Sequence, residues 1–295
     1  MRNYTLHIAG YNIRFESQEN APELIPSPRF KNSIRKKADA DLLIRVHGDD
    51  TALPRGARRV FNAPYFGETD GTITKTGNKF WSVYRYSSNI YVKTIFPLLS
   101  TKYKGILRLS LTDLKWDLWL NGDSVEADPM EYPLDALILY YLTIFYGDIM
   151  IHASGINNAG RGYLFSGVSG KGKTTLAKLW YKTGAVVIND DRLILRKKRG
   201  GYVMHNIPFY IDDGPRESPV HKIYLIGHGE ENRQVLLKGA SAVSHVVANC
   251  IQQNWSKEII ARLLGSVSIM CSTVPVFRLS FVPDRRIIEY ILENE

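Results

Sequence analysis

The sequence predicts a mixed α+β or α/β protein in two parts, a β-rich domain at residues 1–130 and a domain of mixed helices and strands at residues 131–295. Short strand-like runs separated by turn residues fill the first part. Longer runs with helical periodicity alternate with strands in the second. The chain has 295 residues, of which 44% are apolar and 23% are charged, so two globular domains with a sizeable core are expected.

The first part is predicted to form an antiparallel sheet, sandwich or barrel. Residues 4–15 alternate between polar and apolar side chains around Ala9-Gly10, which predicts two strands, and residues 41–46 predict another. Further strand-like runs follow at short intervals, at residues 72–75, 79–86, 90–96, 106–111 and 114–120. Spacing of this kind is typical of all-β architectures. This part carries no catalytic motif, and we expect it to take part in substrate recognition.

The second part begins near Asp128-Pro129, where the close spacing of strands ends. Its predicted helices lie at residues 134–146, 174–182, 241–252, 256–270 and 283–293. Its predicted strands lie at residues 148–153, 162–166, 184–189, 193–196, 202–205, 222–226, 233–237 and 276–281. The residues with recognisable chemistry follow two of these strands.

A phosphate-binding motif connects the strand at residues 162–166 to the helix at residues 174–182. Residues 167–174 read GVSGKGKT and fit the P-loop pattern G-x-x-x-x-G-K-[ST], in the strand–loop–helix context that this pattern requires. Lys173 can reach the β- and γ-phosphates of a nucleotide, and the Thr174 hydroxyl can bind Mg²⁺. The predicted nucleotide-binding residues are Gly167, Ser169, Gly170, Lys171, Gly172, Lys173, Thr174 and Thr175. The alternative is a glycine-rich turn that binds nothing.

Two adjacent acids, Asp190 and Asp191, follow the apolar strand that comes after the P-loop helix. In P-loop proteins an acid at such a strand end reaches the Mg²⁺. With two acids, one could hold the metal while the other accepts a proton from an attacking hydroxyl. The alternative is that either acid only caps a turn. His152 precedes the P-loop strand, and a lone histidine beside an apolar strand is usually structural.

Three segments together resemble HPr kinase/phosphorylase and its relatives, a family similar in fold to the P-loop carboxykinases. They are Ile-His-Ala-Ser-Gly at residues 151–155, the P-loop, and Asn-Asp-Asp-Arg at residues 189–192. The resemblance covers about residues 149–295 and implies an HPr-kinase-like catalytic domain. It is closest to HPr-kinase-related proteins of biosynthetic clusters, including kinases that phosphorylate lasso-peptide precursors.

The resemblance also implies roles for single residues. Asp190 matches the family's general base, Asp191 its second acid near the metal, and His152 the histidine close to the base, while Lys173 and Thr174 keep their P-loop roles. The R-G-x-G-x-[IV] signature that follows the two acids in HPr enzymes is missing, and residues 206–210 take its place. The β-rich first part is also unlike the α/β domain of those enzymes. HPr as substrate, phosphorolysis and the family's hexamer are therefore not carried over.

These observations favour an ATP-dependent, Mg²⁺-dependent serine kinase, which transfers the γ-phosphate to a hydroxyl group of a peptide, protein or small-molecule acceptor. One alternative is a P-loop NTPase that couples hydrolysis to a partner, although neither N-K-x-D nor L-S-G-G-Q occurs. The other is a non-catalytic nucleotide-binding module. The sequence does not identify the acceptor. It also leaves open whether ATP or GTP is the preferred nucleotide and whether the chain forms a homo-oligomer.

The composition sets the expected surroundings of the protein. A formal net charge of +9 favours anionic ligands but does not choose among them. The most apolar run, residues 136–146, is too short to span a bilayer, and the first residues lack a signal-peptide core. The two cysteines, Cys250 and Cys271, have no metal-type spacing. We therefore expect a cytoplasmic protein with reduced thiols and with neither membrane nor nucleic-acid partners.

Overall fold

The computed structural model describes residues 2–36, 38–48, 53–69, 72–96, 100–121, 126–168, 170–208 and 213–294. The predicted site residue Ser169 lies outside these ranges. The chain divides into two compact units: Met1–Phe145 with Phe209–Gly214, and Tyr146–Pro208 with Pro215–Glu295. Mixed sheets with few helices confirm the predicted α+β class.

The first unit is built almost entirely of strands. They are β1 (Asn3–Ile8), β2 (Tyr11–Ser17), β3 (Glu23–Leu24), β4 (Ile34–Arg35), β5 (Leu42–His47), β6 (Arg58–Thr69), β7 (Thr72–Tyr86), β8 (Asn89–Phe96), β9 (Ser100–Leu109), β10 (Lys115–Asn121) and β11 (Glu126–Ala127). A 3₁₀ helix spans Pro28–Ser33, and helix α1 spans Leu134–Tyr146. The bounds of α1 agree with the helix predicted from its apolar run.

One large sheet organises this unit, in the order β4-β1-β2-β5-β10-β9-β8-β7-β6. Strand β5 pairs in parallel with both β2 and β10, and the other neighbours pair antiparallel. Side chains alternate between the two faces of a strand. On one face Ile13, Val46, Leu118, Leu107 and Val92 are fully buried, so the alternation read from the sequence marks the core side of this sheet.

The sequence-based division differs from the structure in two details. Residues 72–86 form the single strand β7, whereas the sequence predicts two separate strands at residues 72–75 and 79–86. The boundary between the units falls at residues 145/146 rather than 130/131, because α1 groups with the first unit. A change in local pattern at Asp128-Pro129 marks where strands give way to a helix, but it cannot tell which sheet that helix accompanies.

A partly buried carboxyl group gives the first unit a pH-dependent stability. Asp128 accepts hydrogen bonds from the backbone N–H groups of Met130, at 2.9 Å, and Ser27, at 3.2 Å. Burial nevertheless raises the pKa of Asp128 from 3.8 to about 6, and the nearby charge of Glu131 adds to the rise. Because the folded-state pKa lies above the unfolded-state value, the stability associated with Asp128 is complete at low pH and is lost as the pH rises through about 6.

We therefore expect Asp128→Asn to gain stability relative to the wild type, by up to about 3 kcal/mol, as the pH rises from about 4 to about 7. The asparagine keeps a hydrogen-bond acceptor but does not ionise. Chemical denaturation over this pH range measures the difference, with Asp39→Asn at an exposed position as the control. Parallel stability curves for Asp128→Asn and the wild type would contradict the assignment.

The second unit mixes strands and helices, and its described helices all begin after residue 172. Its strands are β12 (Ile149–Asn158), β13 (Arg161–Ser166), β14 (Val186–Asn189), β15 (Arg192–Lys198), β16 (Gly201–Asn206), β17 (Glu217–Pro219), β18 (Lys222–His228), β19 (Arg233–Leu237) and β20 (Val276–Phe281). Its helices are α2 (Lys173–Tyr181), α3 (Gly239–Val247), α4 (Lys257–Thr273) and α5 (Arg286–Glu293). No helix within the described residues is long and apolar enough to cross a membrane.

The sheet of the second unit runs β17-β16-β15-β12-β13-β18-β20-β19, and β14 pairs with β12 outside this path. Strands β13, β18 and β20 are parallel neighbours, so their carboxyl ends meet at one edge. The long strand β12 pairs antiparallel with β13, and on its other side with β14 and then β15. This arrangement brings chain segments that are distant in sequence to the two sides of β13.

An aromatic core fixes strand β13 against helix α2. The ring of Tyr163 stacks on Trp180 with centroids 5.3 Å apart, and Phe165 stacks on Tyr224 of β18 at 5.5 Å. All four side chains are fully buried and belong to one cluster with Phe281 of β20. The two elements that flank residues 167–172 are therefore held by packing on one face of the sheet.

Candidate functional site

Residues 167–172, called here the glycine loop, connect the end of β13 to the first turn of α2. Two of its glycines have left-handed backbone conformations, with φ of 80° at Gly170 and 92° at Gly172. Gly172 is the N-cap of α2. The free backbone N–H groups of a helix start attract anions, and successive N–H groups in such a loop can surround a phosphate. The predicted strand–loop–helix arrangement around residues 167–174 is present.

Packing requires glycine at residue 172 in addition to its backbone angle. A Cβ atom there would lie 2.7 Å from the fully buried ring of Phe281, so the ring or the loop would have to shift. Gly184 has nearly the same angle, with φ of 88°, but nothing lies within 4 Å of its Cβ position. The two glycines therefore separate the effect of the backbone angle from that of the close contact.

We expect Gly172→Ala to destabilise the protein by about 1–3 kcal/mol more than Gly184→Ala, because both substitutions carry the left-handed cost and only the first overpacks the core. Chemical denaturation of the two variants measures the difference. Equal losses of stability would show that the ring of Phe281 does not confine this end of the loop.

Lys173, the first residue of α2, is a buried cation directed into the glycine loop. Its Nζ donates hydrogen bonds to the carbonyl oxygens of Gly167, at 2.8 Å, and Val168, at 3.4 Å. Burial lowers the pKa of this amine, and the charges of Asp190 and Asp191 act in the opposite direction. A buried ammonium group with only neutral hydrogen-bond acceptors favours the approach of an anion. By contrast, Lys171, Thr174 and Thr175 are exposed.

The sheet topology places the two acids beside the glycine loop. Asp190 and Asp191 lie in the short connection between β14 and β15, both of which pair with β12. The carbonyl oxygen of Asp191 accepts a hydrogen bond from the N–H group of Ala153 at 3.1 Å. Ala153 is in turn paired with Ser166, the last residue before the glycine loop. One residue of β12 thus links the acids to the end of β13.

Different partners hold the two carboxylates. The Ser154 hydroxyl donates a hydrogen bond to Oδ1 of Asp190. Arg192 Nε lies 2.9 Å from Oδ2 of Asp191. The side chain of Asp191 is 49% exposed, so it can reach a ligand in solution. The neighbouring Asn189 accepts a hydrogen bond from the Asp191 N–H group at 2.9 Å, which stabilises the turn between the strands. An asymmetric pair of this kind suits two different roles.

His152 lies in the same electrostatic environment. Burial lowers the pKa of its imidazole, the cations Lys173 and Arg192 lower it further, and Asp191 and Asp190 act to raise it. The N–H group of His152 donates to the Asn249 carbonyl at 3.0 Å, and its carbonyl accepts from the Ser166 hydroxyl at 2.8 Å. Its backbone is therefore fixed, and the lowered pKa favours a neutral imidazole.

Ser154 and Arg192 are site residues that the sequence reading did not assign. Ser154 occurs in the Ile-His-Ala-Ser-Gly segment, two residues from His152 and so on the same side of β12. The two-residue spacing from His152 is therefore the sequence feature that could have indicated Ser154 as a site residue. Arg192 follows the two acids directly, but nothing in the sequence indicates that it pairs with Asp191 rather than extending into solvent.

A cavity of about 430 Å³ adjoins the glycine loop, on the side toward β18 and β20. Its walls come from the loop, the ends of β13, β18 and β20, and helix α3, including Val168, Lys171, Ile226, His228, His245 and Arg278. His228 Nε2 lies 3.3 Å from the Gly170 carbonyl oxygen. The sequence contains no recognisable motif for this cavity, because its walls come from the loop, three strands and a helix.

Two polar side chains in the cavity wall form a directed pair. Arg278 lies 3.1 Å from His245 Nε2, and His245 Nδ1 lies 2.7 Å from the Ser241 carbonyl oxygen. A guanidinium group only donates and a carbonyl only accepts, so His245 is the neutral tautomer that carries its proton on Nδ1. Arg278 thus places its guanidinium group at the edge of an otherwise largely apolar space.

The oxygen groups near Lys173 fit Mg²⁺ better than a metal held by protein alone. Among the described residues, no group of three or more His, Cys, Asp and Glu side chains could hold a metal ion. The candidate ligands are one hydroxyl, Thr174, and one half-exposed carboxylate, Asp191. Mg²⁺ prefers oxygen ligands and is commonly bound by one or two protein groups together with nucleotide phosphates and water.

No family model matches this sequence, and no curated protein matches it. Among solved structures, the HPr(Ser) kinase/phosphatase from Coxiella burnetii is similar over 49% of this chain and 94% of its own, with 12% sequence identity and a TM-score of 0.29. A TM-score this low assigns neither fold nor function. The resemblance to HPr kinases therefore stays a prediction from the sequence motifs.

Proposed function

We propose that the second unit binds Mg²⁺·ATP at the glycine loop and transfers the γ-phosphoryl group to a hydroxyl group. One observation carries this proposal: the buried cation of Lys173 shares its electrostatic environment with two carboxylates, Asp190 and Asp191, that have different partners. Phosphoryl transfer depends mainly on positioning and on neutralising the charge of the phosphates. A cation, an anion-attracting helix start and a separate base meet both needs.

Asp190 is the proposed general base. In the transfer step the acceptor O–H proton moves to the Asp190 carboxylate, the acceptor oxygen bonds to the γ-phosphorus, and the bond from that phosphorus to the β–γ bridging oxygen breaks. The hydrogen bond from Ser154 fixes the carboxylate in one orientation. His152 is the proposed neighbour that tunes this group. Its lowered pKa favours the neutral form, which leaves the negative charge of Asp190 available to the proton.

Thr174 and Asp191 are the proposed Mg²⁺ ligands. Both side chains are accessible, and the ion would supply positive charge against the β- and γ-phosphates. Lys173, together with the backbone N–H groups of Gly170, Gly172 and Thr175, would hold the phosphates themselves, whereas the Lys171 N–H already donates to the Val168 carbonyl oxygen at 3.3 Å. Arg192 Nε, at 2.9 Å from Asp191 Oδ2, orients this carboxylate in the absence of the metal.

The cavity beside the glycine loop is the proposed nucleoside site. Its volume suits a base and ribose, its walls are largely apolar, and it adjoins Val168 and Lys171 of the loop. Arg278 can stack on or donate to a base, because His245 holds its guanidinium in place. Arg278→Ala is the variant that would weaken binding of the nucleoside while leaving binding of inorganic triphosphate intact.

The identity of the reaction is tested by the fate of the γ-phosphate. We expect label from γ-labelled ATP to appear in an acid-stable phosphoester on a serine-containing peptide, a protein or a small alcohol. Release of labelled inorganic phosphate at the same rate with and without acceptors would indicate an NTPase instead. Tight binding of ATP with neither outcome would indicate a nucleotide-binding module. Lys173→Ala, which removes the proposed phosphate contact, is the negative control.

A further inference from the structure

The sheet of the first unit carries a continuous row of charged and aromatic side chains on the face opposite its core. Directly paired residues of neighbouring strands point to the same face. Through these pairs one row crosses the strands β2, β5, β10, β9, β8, β7 and β6 in that order. Its residues are Glu16, Arg45, Asp117, Arg108, Tyr91, Tyr84 and Arg59. The next positions on the same face add His47, Trp119, Lys93 and Lys104. We call this surface the basic face.

A single buried carboxylate, Asp117 at the centre of the row, pairs with two arginines and contacts a histidine. Asp117 is only 3% exposed. Its Oδ1 lies 3.0 Å from Arg45 Nε and 2.9 Å from His47 Nε2, and its Oδ2 pairs with Arg108. One negative charge cannot balance two guanidinium groups. Each guanidinium also has five N–H donors, more than Asp117 can accept, so both retain donors and positive charge for an external anion.

The rest of the basic face reinforces this excess. Lys93, Lys104 and Arg59 are exposed. Among the described residues of these rows, Glu16 is the one acid besides Asp117. Arg14 Nε lies 2.7 Å from Glu16 Oε1 and neutralises its charge. Trp119 stacks on His47 with ring centroids 4.9 Å apart and remains partly exposed. The surface thus offers fixed positive charge beside the face of a large aromatic ring.

We propose that the basic face binds an acidic peptide segment. Carboxylates of the segment would pair with Arg45 and Arg108, whose planar guanidinium groups match a carboxylate with two parallel hydrogen bonds. Its apolar side chains would contact Trp119 and Tyr91. The acids inside the row favour a peptide over a nucleic acid, because a continuous phosphate backbone would meet Asp117 and Glu16, whereas discrete carboxylates can be spaced between them. The proposal goes beyond the phosphoryl-transfer site, since it concerns the first unit and requires no nucleotide.

The test measures fluorescence anisotropy of labelled probes with the full chain in the absence of nucleotide. The probes are a peptide of alternating glutamate and leucine, the same peptide with glutamine in place of glutamate, and a single-stranded polythymidine of equal length. The variant is Lys93→Glu with Lys104→Glu, two exposed positions on the basic face. The control is Lys238→Glu with Lys257→Glu, which changes the net charge equally at two exposed positions of the second unit.

We expect the glutamate peptide to bind more tightly than the glutamine peptide, with a Kd that rises about tenfold in the Lys93→Glu, Lys104→Glu variant and is unchanged in the control. Added salt should weaken this binding. Equal binding of the two peptides, equal loss in the control variant, or tighter binding of polythymidine than of the glutamate peptide would each overturn the proposal. Because ATP is absent, none of these outcomes depends on the proposed kinase activity.

Discussion

Lys173→Ala should weaken the binding of Mg²⁺·ATP by about 10- to 100-fold, the range expected when a charge-assisted hydrogen bond to a phosphate is lost. Phosphoryl transfer should fall further, because the same ammonium group would stabilise charge that develops on the γ-phosphate. Lys173 is the group to change because it is buried and already directed at the loop carbonyls of Gly167 and Val168.

Isothermal calorimetry measures this loss, and two variants make it interpretable. Lys178→Ala removes an exposed lysine of helix α2 that has no proposed role in the site, and it should change the affinity for ATP only slightly. Lys173→Met keeps the aliphatic part of the side chain, so a shared loss of binding in both Lys173 variants separates the role of the charge from that of packing. Equal affinity of the wild type and both Lys173 variants would refute phosphate binding at this loop.

Asp190→Asn should reduce the rate of phosphoryl transfer by about 10²- to 10⁴-fold, the usual contribution of a general base. Nucleotide affinity should change little, because asparagine keeps the shape of the side chain and can still accept a hydrogen bond from Ser154. Single-turnover transfer from γ-labelled ATP measures the rate without interference from product release. Full activity of Asp190→Asn would contradict the assignment of the base.

Variants of the neighbouring residues sharpen this result, because each removes a different contact of the acidic pair. Ser154→Ala removes the hydroxyl that orients Asp190 and should give an intermediate loss of transfer. His152→Ala should behave similarly, with nucleotide affinity retained. Asp191→Asn should instead raise the Mg²⁺ concentration required for half-maximal transfer. If Asp191→Asn and Asp190→Asn respond identically to Mg²⁺, the two acids do not have separate roles.

The sequence predicted those parts of the fold that depend on local pattern. The alternation at residues 41–46 and the apolar run at residues 134–146 correspond to β5 and α1, because side-chain periodicity follows directly from strand and helix geometry. The glycine loop was also predictable from a local pattern. Gly170 and Gly172 have left-handed backbone angles, which favour glycine, and the spacing of the glycines is visible in the sequence.

Long-range pairing was not accessible from the sequence. The contact between Ser154 and Asp190 depends on the pairing of β12 with β14, and the strand order of the sheet has no local signal. The row of side chains on the basic face likewise depends on registers between strands that lie far apart in sequence. In the sequence, a single cation such as Arg45 indicates only a solvated surface position. The structure shows that Arg45 and Arg108 both pair with Asp117.

The central claim is that the terminal phosphates of a nucleotide bind at buried Lys173, and an acyl phosphate of ATP tests it most directly. When such a probe binds, a lysine amine near the γ-phosphate attacks the acyl carbon and ATP departs, which leaves a stable amide. We expect mass spectrometry to find the amide on Lys173, whose lowered pKa favours the reactive neutral amine, and excess ATP to prevent the labelling. Labelling of exposed Lys171 and other surface lysines, with Lys173 unmodified and no protection by ATP, would contradict the claim.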